Sequence, residues 1–150
     1  VVALLAVRGL VGRFAAFVYV FGLWVLFYYI WLKVYLGWPS QWLEWDILFL
    51  IPWPWFGPWL APALIALLFT FWGGWARTTP RELRLRPTDI LLFVAGALLA
   101  LAAFLAPAWP LLTDGAAAFR DWMPGTFHWP LHAAGLAGMA AALLRVLRVR

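Results

Sequence analysis

The chain has 150 residues, of which 67% are hydrophobic and 11% charged, with a mean hydropathy of +0.90 and a formal net charge of +5. Soluble domains are about 25% charged, and no interior of this size could hide so many bulky apolar side chains, so a water-soluble globular fold is excluded and an integral membrane protein is expected. Cysteine is absent, which excludes disulfides, iron–sulfur ligation and thiolate chemistry.

The first seven residues, VVALLAV, are too short for the apolar core of a signal peptide with its basic leader and cleavage site, so no targeting segment is expected. From Phe14 to Leu32 no charge interrupts FAAFVYVFGLWVLFYYIWL. Those residues would make about 28 Å of helix, enough for a hydrocarbon core of about 30 Å. The first span is expected over about 14–35. Near its end the hydroxyls of Tyr28 and Tyr29 require polar company.

Gly37, Pro39 and Ser40 then mark a break. Ser40 could cap a short interfacial helix, with Trp38, Trp42, Trp45 and Phe49 on one face and Gln41, Glu44 and Asp46 on the other. FLIPWPWFGPWLAP follows, carrying Pro52, Pro54, Pro58 and Pro62. Proline lacks a backbone donor and clashes with the preceding helical turn. Residues 38–57 are therefore expected to form an irregular Trp/Pro-rich interfacial segment, extended about Pro52 and Pro54 with Trp53 and Trp55 on opposite sides. Irregular backbone at membrane depth must be covered by protein or water. A neighbouring subunit or the 110–127 loop is expected to lie over it.

Pro58 suits the first turn of a helix, so the second span is expected over 58–76 with a slight bend at Pro62. ARTTPRELRLRPTD is the one strongly polar stretch, a surface connection ending in Asp89, which is placed to cap the next helix. The third span is expected over 90–109. An exposed loop follows, with a short helix over 115–122, and the fourth span runs over 128–146, closed by Arg145, Arg148 and Arg150. Residues 1–150 thus read as a single all-α transmembrane domain of four helices, arranged as two helical hairpins.

Nine of the basic residues (Arg8, Arg13, Arg77, Arg81, Arg84, Arg86, Arg145, Arg148, Arg150) fall at one membrane face, and Lys33 and Arg120 fall at the other. The positive-inside rule then places both termini in the cytoplasm. The bias of arginine over lysine, with no asparagine anywhere, suggests a GC-rich bacterial genome and hence the bacterial inner membrane; it requires no nucleic-acid partner. Tryptophan crowds the outer face at 38, 42, 45, 53, 55, 59, 109, 122 and 129, with Trp72 and Trp75 at the inner one. That is more than an interfacial belt for four helices requires. Trp42, Trp45, Trp53, Pro54, Trp55, Phe56 and Trp59 are expected to form a docking surface for other membrane-protein subunits.

Spans three and four carry small residues four apart: Gly96 and Ala100, then Ala134, Gly138 and Ala142. Such stripes let helix backbones approach closely in lipid. No ionisable residue sits in the middle of a span, which argues against a pump, proton-coupled exporter or lone channel. His128 and His132, at i and i+4, are expected to share a face and are the candidate ligands for a haem or chlorin; completing a metal site there would take acids from the outer loops. Glu44 and Asp46, beside an aromatic pocket, would suit a quinone ring. Phosphate loops, Ser–His–Asp arrangements and zinc-protease motifs are all missing. The sequence therefore reads as a non-catalytic accessory subunit of a larger bacterial membrane complex, respiratory or photosynthetic, with phospholipids bound. A haem-, chlorin- or quinone-binding electron-transfer subunit is the alternative.

Overall fold

The computed structural model describes residues 9–50, 54–79, 85–110 and 125–147. Four helices, α1 (Leu10–Leu36), α2 (Leu60–Thr78), α3 (Pro87–Leu105) and α4 (Trp129–Leu147), are long and apolar enough to cross a membrane by length and composition. A 3-10 turn, Ala106–Ala108, prolongs α3. α1 closes at Gly37, whose φ of 69° is the left-handed conformation glycine adopts freely, with its N–H donating to the Lys33 carbonyl at 3.1 Å. The Lys33 ammonium reaches past the helix end to donate to the Pro39 carbonyl at 2.7 Å.

Helix association in hydrocarbon depends on close packing, because lipid tails are as apolar as leucine. α1 packs along α2, and α3 along α4. In the first pair a methyl group on Gly73 would stand 2.7 Å from the Ala15 carbonyl oxygen, and Gly22 faces Ala66 and Thr70 just as closely. In the second pair a methyl on Gly135 would stand 2.6 Å from both the Ala100 nitrogen and the Gly96 carbonyl oxygen. Gly138 lies beside Gly96, and Ala100 and Ala142 are buried. Ala134, expected in this stripe, is exposed, and Gly135 takes the central position. The buried residues of α4 are His132, Gly135, Met139, Ala142, Leu143 and Val146. His132, Gly135, Met139, Ala142 and Val146 alternate steps of three and four, with Leu143 beside Ala142, and so follow a 3.6-residue period; steps of four alone drift off the face.

The two helix pairs meet at their ends. At the end away from the α1–α2 connection, Ala15, Val18, Trp72, Ala76, Leu143 and Val146 form one cluster, joined by Phe14 and Phe93, whose rings stand edge to face at 5.5 Å. Trp72, expected at the interface, is buried there, and its indole N–H donates to the Leu143 carbonyl at 2.8 Å. Asp89, in the first turn of α3, is 2% exposed and pairs with Arg145 of α4, Nε to Oδ1, at 3.0 Å. Its other oxygen accepts from the Arg86 backbone N–H at 3.4 Å; the helix begins at Pro87, so Asp89 reaches back from inside the first turn instead of capping from ahead of residue 90 as expected.

At the opposite end the structure corrects three expectations. Residues 45–58 are not irregular throughout: β1 (Trp45–Phe49) and β2 (Trp55–Pro58) pair antiparallel, with Trp45 opposite Pro58, Asp46 opposite Gly57, Ile47 opposite Phe56 and Phe49 opposite Trp55. The expected helix bearing Trp38, Trp42, Trp45 and Phe49 on one face does not form, and Trp45 and Phe49 lie in β1. Pairing satisfies backbone groups that prolines would strand in a helix, as apolar surroundings demand. Pro58 ends β2 instead of opening a helix, and the next N–H, of Trp59, donates to the Glu44 carbonyl at 3.0 Å. The second helix therefore begins at Leu60, two residues after the expected 58.

The β-hairpin rests on a second cluster of Ala61, Ala103, Phe104 and Phe127, against which Trp45, Leu48 and Trp55 pack. Phe127, at the end of the 110–127 segment, stands edge to face with Trp45 at 6.2 Å. The contact expected from that segment is made by this residue, while 111–124, including the short helix expected over 115–122, lie outside the described residues. Replacing Gly135 with leucine should force α3 and α4 apart and destabilise the protein by about 1–3 kcal/mol or more. Ala134→Leu, on the exposed side, should stay within about 0.5 kcal/mol. Thermal unfolding in mild detergent measures both.

Candidate functional site

Between its two end clusters the seam separating the helix pairs is open. A cavity of about 480 Å³ lies there, bounded by α1 and α2 on one side, by α3 and Met139 of α4 on the other, and by the β-hairpin at one end. Its walls are rings: Phe21 and Trp24 from α1, Phe69 from α2, Phe104 from α3, and Phe49 and Trp55 from the β-hairpin. It is not sealed, because Trp24 and Tyr28 on its edge are 61% and 45% exposed. The volume falls within the range of small-molecule pockets.

The polar groups of this lining sit at the β-hairpin end. The Tyr29 hydroxyl, on a buried ring, donates to Asp46 Oδ2 at 2.8 Å, joining α1 to β1. Tyr28 stands beside it, ring to ring at 5.1 Å. Each residue stands out in the sequence as a polar group in an apolar run, but nothing there pairs the tyrosines with Asp46, because the link spans a chain reversal whose geometry depends on the strand pairing. Glu44 is not part of the cavity lining. Its carboxylate accepts from the Ser40 backbone N–H and, at 2.9 Å, from the Ser40 hydroxyl, with the Gln41 N–H at 3.2 Å. The Ser40 N–H above all holds its pKa below the usual carboxylate range. Ser40 thus closes a turn instead of capping a helix.

The two histidines do not converge. α4 starts at Trp129, so His128 lies outside the helix and is exposed, while its carbonyl accepts from the His132 N–H at 3.0 Å. The i, i+4 rule applies within a helix and fails for a residue ahead of it. His132 is 1% exposed, with the rings of Phe104, Phe127 and Trp129 at 5.4, 5.6 and 5.9 Å. The backbone of Ala61 approaches its imidazole, but no described residue meets hydrogen-bond geometry at either nitrogen. Among the described residues no three His, Asp or Glu side chains gather as metal ligands.

The aromatic cap packs largely on itself. Trp42 stacks on Trp59 at 6.2 Å while remaining 75% exposed, and Trp59 packs on Tyr29 at 5.6 Å. Trp45, Pro54, Trp55 and Trp59 are half-buried. Phe56, expected on the docking face, is buried instead, at 5% exposure, together with Gly57 and Pro58 of β2. Trp53 lies outside the described residues.

The class this architecture defines is a four-helix membrane-type bundle with a ring-walled cavity in its seam. Set beside known protein families, curated proteins and solved structures, the chain matches none of them.

Tyr29→Phe deprives Asp46 of this donor and should cost about 1.5 kcal/mol of stability, the low end for a bond to a charged acceptor, read as a lowered thermal midpoint. The Glu44 turn should respond to acid. A depressed folded pKa means its contribution is complete above the ordinary carboxylate value of 4.5 and fades as pH falls through the lowered one. Tryptophan fluorescence should report a transition below the usual carboxylate range, and Glu44→Gln should remove it.

Proposed function

We propose that the chain is a non-catalytic accessory subunit of a larger bacterial membrane complex, of the respiratory or photosynthetic electron-transfer kind. In this reading it crosses the inner membrane four times with both termini in the cytoplasm, as the asymmetry of its basic residues supports. It works by holding other components: partner subunits at the aromatic cap, phospholipids along its helices, and an apolar guest in the seam.

The observation that carries this reading is the cavity. Protein interiors pack densely, and a void of this size forfeits contacts around its whole lining unless something fills it. Glycine draws the helices of each pair together, yet bulky rings stand between the pairs. Such a space supports a role in binding. Trp42 and the half-covered indoles of Trp45, Trp55 and Trp59 offer the amphipathic surface typical of interface anchors.

A second reading, ligation of a haem or chlorin by His132 with His128 nearby, is favoured by the unpartnered nitrogens of His132. A Soret or chlorin band that disappears in His132→Ala would establish it.

In native electrophoresis of membranes solubilised in mild detergent, the protein should migrate well above its 17.0 kDa mass together with other polypeptides. A lone species of that mass at every detergent level would overturn the subunit reading.

A further inference from the structure

The polar end of the cavity discriminates between guests. Asp46 is the one charged residue among the described residues of the lining. Among the described residues no Lys or Arg pairs with it: Lys33 is directed to the Gly37 and Pro39 carbonyls, and the ion pair of the described residues joins Arg145 to Asp89. Tyr29 supplies Oδ2 with a donor, and Oδ1 receives no hydrogen bond from a described residue. The Tyr29 proton is thereby committed to Asp46. The site offers a guest an acceptor and a negative charge at the end of a slot walled by aromatic rings.

Each class of membrane amphiphile meets this arrangement differently. A phospholipid brings an anionic phosphate toward a carboxylate that no described cation neutralises, which like-charge repulsion opposes. An oxidised quinone presents carbonyl oxygens, which the Asp46 carboxylate cannot meet with a donor, leaving the Tyr28 hydroxyl beside it as the neutral alternative. A quinol presents hydroxyl donors on a flat ring, and bonds from hydroxyl to carboxylate are among the strong ones. The ring walls suit stacked or edge-on contact with such a head, and the apolar remainder of the cavity suits the first part of a prenyl tail.

We propose that the seam cavity binds the hydroxylated ring of an isoprenoid quinol, with Asp46 accepting a hydrogen bond from a ring hydroxyl and Tyr29 holding the carboxylate in place. This rests on the cavity being a binding site, as argued above, and adds the chemical class of its guest. Asp46 is a binding residue here and Tyr29 a positioning one.

The test uses the full chain in nanodiscs of zwitterionic phospholipid, titrated anaerobically with a decyl benzoquinol and with the matching benzoquinone. Bound compound is quantified after gel filtration. The quinol should bind saturably and about tenfold more tightly than the quinone, the ratio one charge-assisted hydrogen bond confers. Asp46→Asn, whose folding is checked by thermal unfolding, should bring the two forms to within about threefold of each other. Ala97→Phe, which fills the cavity away from Asp46, should abolish binding of both. Equal affinity for the two forms, or a preference that survives Asp46→Asn, overturns the quinol assignment and leaves the cavity as a binding site. The assignment also falls if neither compound binds but phospholipid that co-purifies with the protein is displaced by Ala97→Phe. If neither binds and Ala97→Phe changes no retained lipid, the reading of the cavity as a binding site falls with it.

Discussion

In a membrane the hydrophobic effect does not drive one apolar helix against another, so the spacing of helices follows from how closely their backbones can approach. Here glycine sets that spacing. Gly22 and Gly73 bring the backbones of α1 and α2 together, and Gly96 and Gly135 do the same for α3 and α4. Between the pairs the facing positions carry Phe21, Phe69 and Phe104. Rings of that size hold backbones apart, and the seam closes where other residues bridge it: the Trp72 indole on the Leu143 carbonyl at one end, the Phe104–Phe127 cluster at the other. The cavity is what this distribution of small and large side chains leaves in the middle.

The β-hairpin depends on the same frame. Two strands alone are marginally stable at best, and each leaves an unpaired edge. This pair is held from three sides. Gly57 lies so close to Phe104 that a methyl group there would stand 2.8 Å from its ring. Phe127 packs on Trp45, and Tyr29 bonds Asp46 across to α1. Because β1 contributes both Asp46 and Phe49 to the cavity lining, whatever fixes the hairpin also fixes the polar end of the pocket.

The four helices are legible in the sequence because charge at their ends and its absence within them are properties of the sequence itself, and the ends deviate by a few residues only. The small-residue contact of α3 and α4 is legible in kind but not in phase: Gly135 replaces Ala134 because the buried face is fixed by the whole of α4 together. The contact of α1 and α2 through Gly22 and Gly73 was signalled only by isolated glycines in apolar runs. The β-hairpin was not legible. Trp38, Trp42, Trp45 and Phe49 recur at helical spacing, and what overrides that spacing is tertiary: a strand partner beyond the prolines and the bare face of Gly57 against Phe104. The Tyr29–Asp46 bond was hidden for the same reason, since it exists only once the hairpin folds back over α1.

Two carboxylates in this chain look alike in sequence, each an aspartate ahead of an apolar run, and their surroundings separate them. Asp89 is almost wholly buried, faces a guanidinium and accepts from a backbone N–H. A buried carboxylate held this close to a guanidinium ties α3 to α4. Asp46 has one neutral donor, a half-exposed position and a cavity beside it. Its remaining oxygen carries acceptor capacity that the described residues do not satisfy. In a molecule with so few polar groups at membrane depth, an incompletely compensated carboxylate next to an unfilled space is where a ligand gains most from hydrogen bonding. That contrast, and not the rarity of acids in the chain, is what singles out Asp46 for the proposed quinol site.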